Sequence, residues 1–282
     1  MKTVNTIDAL RALVSQWLRQ GERIAFVPTM GNLHAGHLQL VGVARQHGTR
    51  VLTSIFVNPL QFAPGTDFEN YPRTLAQDSE QLQAVGVDAV FAPSVDEMYG
   101  QQRVQSATTV TVAGLSDILC GEFRPGHFAG VATVVAKLFN LVQAQVAVFG
   151  EKDYQQLTII RRMVQDLCFP IEIVGVPTVR EPEGLALSSR NQYLTPEDRE
   201  RAAVLYQTLQ RVKQQVVDRR ESFSMIEAQA MQVLQQAGFR PEYVSIRQSE
   251  DLQPGRTEST HLRVLAAAWL GQARLIDNLE IW

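Results

Sequence analysis

The stretch Ile24-Ala25-Phe26-Val27-Pro28-Thr29-Met30-Gly31-Asn32-Leu33-His34-Ala35-Gly36-His37-Leu38 passes from one periodicity to another. Residues 24–27 are an unbroken apolar run closed by Pro28, the pattern of a strand buried on both faces. A glycine-containing turn follows, and residues 38–44 place their apolar side chains at helical spacing. The same alternation repeats outward. Residues 7–18 carry Ile7, Leu10, Leu13, Val14, Trp17 and Leu18 on one helical face. Residues 51–57 read as a second buried strand, closed by Asn58-Pro59, and residues 75–85 as a helix. Short strands are expected at 89–91, at 146–149 (stopped by Gly150) and at 171–176. Helices are expected at 131–142 and 154–167. Strand and helix in this rhythm imply parallel pairing with right-handed crossovers, hence an open α/β sheet. Such sheets bind ligands beyond the carboxyl ends of their strands. The loops after Val27, Val57 and Phe149 are therefore the places to search for chemistry.

Between residues 177 and 195 the rhythm changes. Thr195-Pro196-Glu197-Asp198 combines a capping Thr, a Pro at the first helical position and acids in the first turn. Helices at about 196–218 and 223–237 precede strands near 243–246, 262–269 and 273–277. Helices followed by strands indicate a separate α+β domain. The reading is thus an α/β domain over residues 1–176 and a smaller C-terminal α+β domain over 177–282.

Bulk properties limit the function. With 282 residues, 45% of them hydrophobic, the chain can build an ordinary core. A net charge of -3 gives no basic footprint for nucleic acid. An acidic substrate must be held by a few local cations and amides, not by a global field. The apolar runs fall short of the ~20 residues that span a bilayer, and the N-terminus does not read as a signal peptide. A cytoplasmic protein without membrane contact is expected. The two cysteines, Cys120 and Cys168, lie among apolar neighbours and are expected to be small core residues without a disulfide.

Four loops carry polar groups suited to holding a ligand. In His34-Ala35-Gly36-His37 two histidines, three apart at a helix start, share a face. The helix start is expected to add unpaired amides and the positive end of the dipole, both suited to phosphate. Gly36 leaves room for a flat base or a ribose. This is the HxGH pattern of nucleotidyl-transferring enzymes. A zinc pair is disfavoured, since no carboxylate or thiol stands nearby in sequence. After the second strand, Gln61 points to a neutral hydrogen-bonding role, and residues 63–73 read as a mobile lid. Lys152 in Gly150-Glu151-Lys152-Asp153-Tyr154-Gln155-Gln156 is placed for a phosphate, while Asp153 and Gln156 also fit a capping box. Ser188-Ser189-Arg190-Asn191 offers hydroxyls and a guanidinium as a phosphate clamp.

Taken together these segments resemble the pantothenate synthetase family. The resemblance rests on Pro28-Thr29-Met30-Gly31 with His34 and His37, Phe56-Val57-Asn58-Pro59 with Gln61, and Tyr71-Pro72-Arg73. It continues in Arg124-Pro125-Gly126-His127-Phe128, the segment from Gly150 to Gln156, and Ser188-Ser189-Arg190-Asn191. The order and spacing over residues 28–191 make the set specific. The resemblance implies a Rossmann-like fold of the nucleotidyltransferase type and a homodimer. It implies Mg²⁺ with ATP, and pantoate and β-alanine joined through a pantoyl-adenylate. His34, His37 and Lys152 would be the catalytic residues. Met30, Gly150, Asp153, Leu187, Ser188, Ser189 and Arg190 would complete the ATP site, with Asp153 on the ribose. Leu187 stands where many relatives are expected to have Met. Gln61 and Gln156 would orient pantoate, and the C-terminal domain would close over the site. No metal ligand is assigned, although Asp78, Glu151 and Asp153 are available. Two other readings stay open on the residues alone: another HxGH adenylyltransferase, or a non-catalytic ATP-binding module of the same fold.

Overall fold

A computed structural model describes residues 1–62, 68–69, 71–100, 108–219 and 221–282. The chain divides into two compact units. The first comprises Met1–Glu151 with Ile159–Pro177, and the second Lys152–Thr158 with Thr178–Trp282. Lys152, Asp153 and Gln156 therefore group with the C-terminal unit, although the sequence reading set them in the first domain.

The first unit is built on a six-stranded sheet in the order β1-β4-β3-β2-β5-β6. The strands are β1 (Lys2–Val4), β2 (Ile24–Thr29), β3 (Arg50–Ile55), β4 (Ala89–Phe91), β5 (Val146–Gly150) and β6 (Glu172–Val176). Every pairing is parallel. The helices are α1 (Ile7–Arg19), α2 (Ala35–His47), α3 (Leu75–Ala84), α4 (Val95–Tyr99), α5 (Cys120–Phe123) and α6 (His127–Val142), with α7 (Tyr154–Asp166) belonging to this unit from Ile159 onward. β2, β3 and β5 are almost wholly buried, which is why they read as unbroken apolar runs. α6 is buried on nearly all sides, as expected of a helix with apolar residues around its whole circumference.

From β2 the strand order runs outward through β3 and β4, and from β5 it runs the other way to β6. The reversal lies between β2 and β5, and ligands bind at the carboxyl ends beside such a switch point. The ladder there is short: only Ala25 with Val146 and Phe26 with Ala147 are paired. This corrects the expectation that Pro28 ends the strand. β2 continues through Pro28, in register with Ser54 of β3, to Thr29. Pro28 is tolerated because the ladder to β5 has already ended, so its missing N–H is not needed on that side.

Two further corrections concern the ends of local patterns. Lys2–Val4, for which the sequence reading assigns no element, pairs with β4 as an edge strand. Three residues are too few to show a period. Cys120 is buried as expected, but Cys168 is exposed; neither forms a disulfide.

In the second unit, α8 (Pro196–Val217) and α9 (Phe223–Gln236) precede an antiparallel sheet in the order β7-β8-β9. Its strands are β7 (Arg240–Gln248), β8 (Leu262–Leu270) and β9 (Ala273–Glu280). Thr195 caps α8 by accepting from Asp198 N at 3.1 Å, with Pro196 at the first position. Leu205, Leu209 and Val212 of α8, Ile226 and Leu234 of α9, and Val264 and Ala266 of β8 form one buried core. Among the described residues, no helix is long and apolar enough to cross a membrane.

Candidate active site

The two histidines build the start of α2. His34 caps the helix, and its Nδ1 accepts from Gly36 N at 3.2 Å. His37 answers from the first turn, its Nδ1 accepting from His34 N at 3.3 Å. The rings lie side by side, centroids 4.1 Å apart. Because each Nδ1 accepts, the proton of each neutral imidazole sits on Nε2. Both side chains are thus set as Nε2–H donors without needing a positive charge. Two of the amides expected to be unpaired are engaged: Gly36 N bonds to His34 Nδ1, and His37 N bonds to His34 O at 2.8 Å. The ring nitrogens stand beside the positive end of the α2 dipole.

The turn before the histidines is held by one acid. Asp78 of α3, 1% exposed, accepts from Asn32 N at 2.9 Å, Leu33 N at 2.8 Å and Thr74 Oγ1 at 3.1 Å. Gly31 has φ +79°, and a Cβ there would lie 2.9 Å from Asp78 Oδ2, so only glycine fits. Asp78→Ala would leave buried donors unsatisfied. A destabilisation of about 3 kcal/mol is expected, read as a shift of the urea midpoint, with Asp78→Asn intermediate. A shift no larger than that of a surface substitution would mean the turn holds itself.

Gln61 ends a short 3₁₀ turn, Pro59–Gln61, at the carboxyl end of β3. It is 8% exposed, and its Nε2 donates to Met30 Sδ at 2.9 Å, joining two of the residues singled out in the sequence. Two chains of hydrogen bonds converge on it. Asn58 Nδ2 donates to Gln61 Oε1 at 3.2 Å and to Gly130 O at 3.0 Å. His127 Nδ1 lies 2.8 Å from the Gln61 carbonyl, which can only accept, so Nδ1 carries the proton. His127 Nε2 then accepts from Arg124 at 3.1 Å. Arg124 and His127 therefore fix the main chain of Gln61. α6 sits hard against this turn: a Cβ at Gly130 would lie 2.3 Å from Leu60 O. A cavity of about 260 Å³ opens beside Met30, Phe56, Val57, Arg73 and Asp78. Of the expected site residues, only Met30 lines it among the described ones. The centre of the expected lid, residues 63–67 and 70, lies outside the described residues.

In the second unit, Lys152, Ser188 and Asn191 line one small cavity with Asp277. The Lys152 side chain is 19% exposed and its Nζ is 3.9 Å from Asp153 Oδ2, a loose contact. Its backbone is anchored from β9, where Asn278 Nδ2 donates to Lys152 O at 2.9 Å. Asn278 is itself held, its Oδ1 accepting from Arg263 at 2.6 Å and its N–H donating to Asp277 Oδ1 at 2.7 Å. Asp277, 4% exposed, takes both terminal nitrogens of Arg180, at 2.6 and 2.8 Å. Ser188 caps the turn Ser189–Tyr193 by accepting from Arg190 N at 3.2 Å, and its hydroxyl proton can still be donated. Ser189, Arg190 and Gln156 are half-buried, Leu187 N donates to Val179 O at 2.9 Å, and Gly150 ends β5. Asn278 and Asp277 carried no sequence signal, because what they hold lies far along the chain.

A family profile described as pantoate-β-alanine ligase matches residues 2–280. The chain belongs to the pantoate-β-alanine ligase family. Among relatives, the pantothenate synthetase of Nitrosococcus oceani is 54% identical over 282 residues, covering 100% of this chain and 98% of the relative. The structure of pantothenate synthetase from Thermus thermophilus superposes with a TM-score of 0.92 at 50% identity, covering both chains fully. That of the pantoate-β-alanine ligase from Francisella tularensis, complexed with β,γ ATP and β-alanine, gives 0.83 at 33% identity, covering 100% of this chain and 98% of the other. The chain is thus an enzyme, an ATP-dependent ligase of pantothenate biosynthesis, with the α/β architecture expected of it.

The ligase's own carboxylates do not form a metal cage. Among the described residues, no group of three or more His, Cys, Asp or Glu could hold an ion. Asp78, a candidate from the sequence, is consumed by the turn it clamps. Glu151 and Asp153 stand at the entry to α7, as separate carboxylates.

Proposed function

We propose that this ligase activates (R)-pantoate as a pantoyl-adenylate and then transfers the pantoyl group to β-alanine, in a site built from the residues described above. The observation that carries the reading is the paired capping of His34 and His37, which presents two Nε2–H donors after β2, beside the switch point of the sheet. A carboxylate oxygen of pantoate attacks the α-phosphorus of ATP, and the bond to the β-phosphate oxygen breaks. Pyrophosphate leaves with the electron pair. No general base is needed, because the nucleophile is already ionised. What the step needs is alignment, and stabilisation of charge on the leaving group. His34, His37, Lys152, Ser188, Ser189 and Arg190 supply that stabilisation. Met30, Gly150 and Leu187 contribute to the nucleotide site, and Asp153 takes the ribose. Gln61 and Gln156 orient pantoate. The amine of β-alanine then attacks the acyl carbon, AMP departs, and the nitrogen gives up a proton.

ATP enters as its magnesium complex. Mg²⁺ dehydrates reluctantly and binds largely through phosphate oxygens and water. When bound it neutralises phosphate charge. The protein acts in the cytoplasm as a homodimer, with the second domain closing over the nucleotide. The defining test is isotope exchange. With pantoate, Mg²⁺ and labelled pyrophosphate, label should enter ATP without β-alanine. Exchange that ignores pantoate, or that strictly requires β-alanine, would overturn the adenylate route.

A further inference from the structure

We infer that Tyr99 is a positioning residue for the acid-binding site: through Asn58, its hydroxyl fixes which end of the Gln61 amide is presented to substrate. The inference rests on the reading of Gln61 as a contact of pantoate.

The orientation follows from backbone groups whose roles are not open to choice. Asn58 is 1% exposed. The N–H of Leu60, which can only donate, lies 3.3 Å from its Oδ1. The carbonyl of Gly130, which can only accept, lies 3.0 Å from its Nδ2. These two settle the Asn58 amide without reference to any other side chain. The Tyr99 hydroxyl, 2.8 Å from Asn58 Oδ1, must then donate. It is the short bond to that oxygen, the Leu60 bond being long. Burial pushes the Tyr99 phenol above its usual range, so it keeps the proton it donates. The second hydrogen of Asn58 Nδ2 goes to Gln61 Oε1 at 3.2 Å. The oxygen of Gln61 is thereby engaged, and its NH₂ is the end directed to Met30 Sδ, a residue that lines the cavity. An NH₂ group can only donate, so it suits a carboxylate or hydroxyl oxygen and rejects an ammonium.

Tyr99 closes α4, far in sequence from Gln61. Among the described residues its hydroxyl bonds to Asn58, and it reaches Gln61 through that amide. The main chain of Gln61 has a separate anchor in His127. Loss of the Tyr99 hydroxyl should therefore free the Gln61 amide to turn, while the turn that carries it stays in place.

The test is a double-mutant cycle on the purified enzyme, read as KM for pantoate and KM for ATP, with thermal unfolding as the check on folding. Tyr99→Phe keeps the ring and should raise KM for pantoate about 3–10-fold, the usual worth of one neutral hydrogen bond, with KM for ATP within about twofold. In a Gln61→Ala background the same change should add nothing to KM for pantoate. Asn58→Asp is the second variant, for use also if Tyr99→Phe folds poorly. It removes the donor to Gln61 Oε1 and draws the NH₂ inward, so it should raise KM for pantoate more than Tyr99→Phe does. Additive effects of Tyr99→Phe and Gln61→Ala, or equal losses for pantoate and ATP, would overturn the relay. If Gln61→Ala raises KM for pantoate and Tyr99→Phe does not, the relay alone is wrong. If Gln61→Ala leaves KM for pantoate unchanged, the role of Gln61 fails and the relay falls with it.

Discussion

Replacing Lys152 or His37 with alanine is expected to slow pantoyl-adenylate formation by about 10²–10³, the usual cost of losing one preorganised donor to a developing charge. The expectation for Lys152 follows from how it is held. Its main chain is tied to β9 through Asn278, and its side chain lines a cavity with Ser188 and Asn191. An anchored main chain reduces the freedom lost when the side chain meets phosphate, so less of its electrostatic contribution is spent on ordering. The fold should survive, because the ion pair of Lys152 with Asp153 is a loose one, at 3.9 Å. His37 differs, since its Nδ1 also accepts from His34 N. Removing it costs half of a reciprocal cap, about 1 kcal/mol, as well as a phosphate donor. His37→Asn separates the two roles: an amide oxygen can restore the cap without an imidazole donor. Single-turnover adenylation should stay slow in His37→Asn even where thermal unfolding returns to normal. Near-normal turnover in a folded Lys152→Ala or His37→Ala enzyme would remove that residue from the site.

Much of the fold was legible because parallel strands buried on both faces advertise themselves as apolar runs. Residues 24–27, 51–57 and 146–149 all became strands, with boundaries shifted by a few residues. Boundaries moved where local chemistry overrode the pattern. α2 begins at Ala35, not near Leu38, because His34 caps it. α6 begins at His127 rather than Val131. β1 went unseen because its pairing with β4, not its three residues, makes it a strand. The family and its chemistry were legible from six short segments.

Support for the site was not legible. Asn58 was read as a turn residue, and it is that, since its Oδ1 accepts from Leu60 N; its amide also governs Gln61. Tyr99 gave no signal, being an aromatic at the end of a short helix whose hydroxyl finds its partner 41 positions away. Asp78 was considered for a metal because acids near a phosphate site invite it. Its neighbourhood with Gly31, which would have pointed to a clamp, exists only in three dimensions.

Gln61→Ala is expected to separate acid recognition from nucleotide binding more sharply than any other single change. The side chain is nearly buried, with its oxygen held by Asn58 and its NH₂ directed to Met30 Sδ. A donor fixed in that way aligns the carboxylate for attack on phosphorus, and misalignment of about 1 Å can cost 10²-fold. Pantoate-dependent exchange of pyrophosphate into ATP should therefore fall about 10²-fold at a fixed, subsaturating pantoate concentration. ATP binding, followed by calorimetry with a non-hydrolysable analogue, should change less than about twofold, since an amide that binds the acid gives nothing to the triphosphate. Truncation to alanine also leaves Asn58 Nδ2 short of one acceptor, but Gly130 O still holds that group. The stability loss should thus stay near 1 kcal/mol, too small to explain the loss of exchange. A variant that loses ATP affinity and exchange in parallel would place Gln61 on the nucleotide and leave the acid to Gln156.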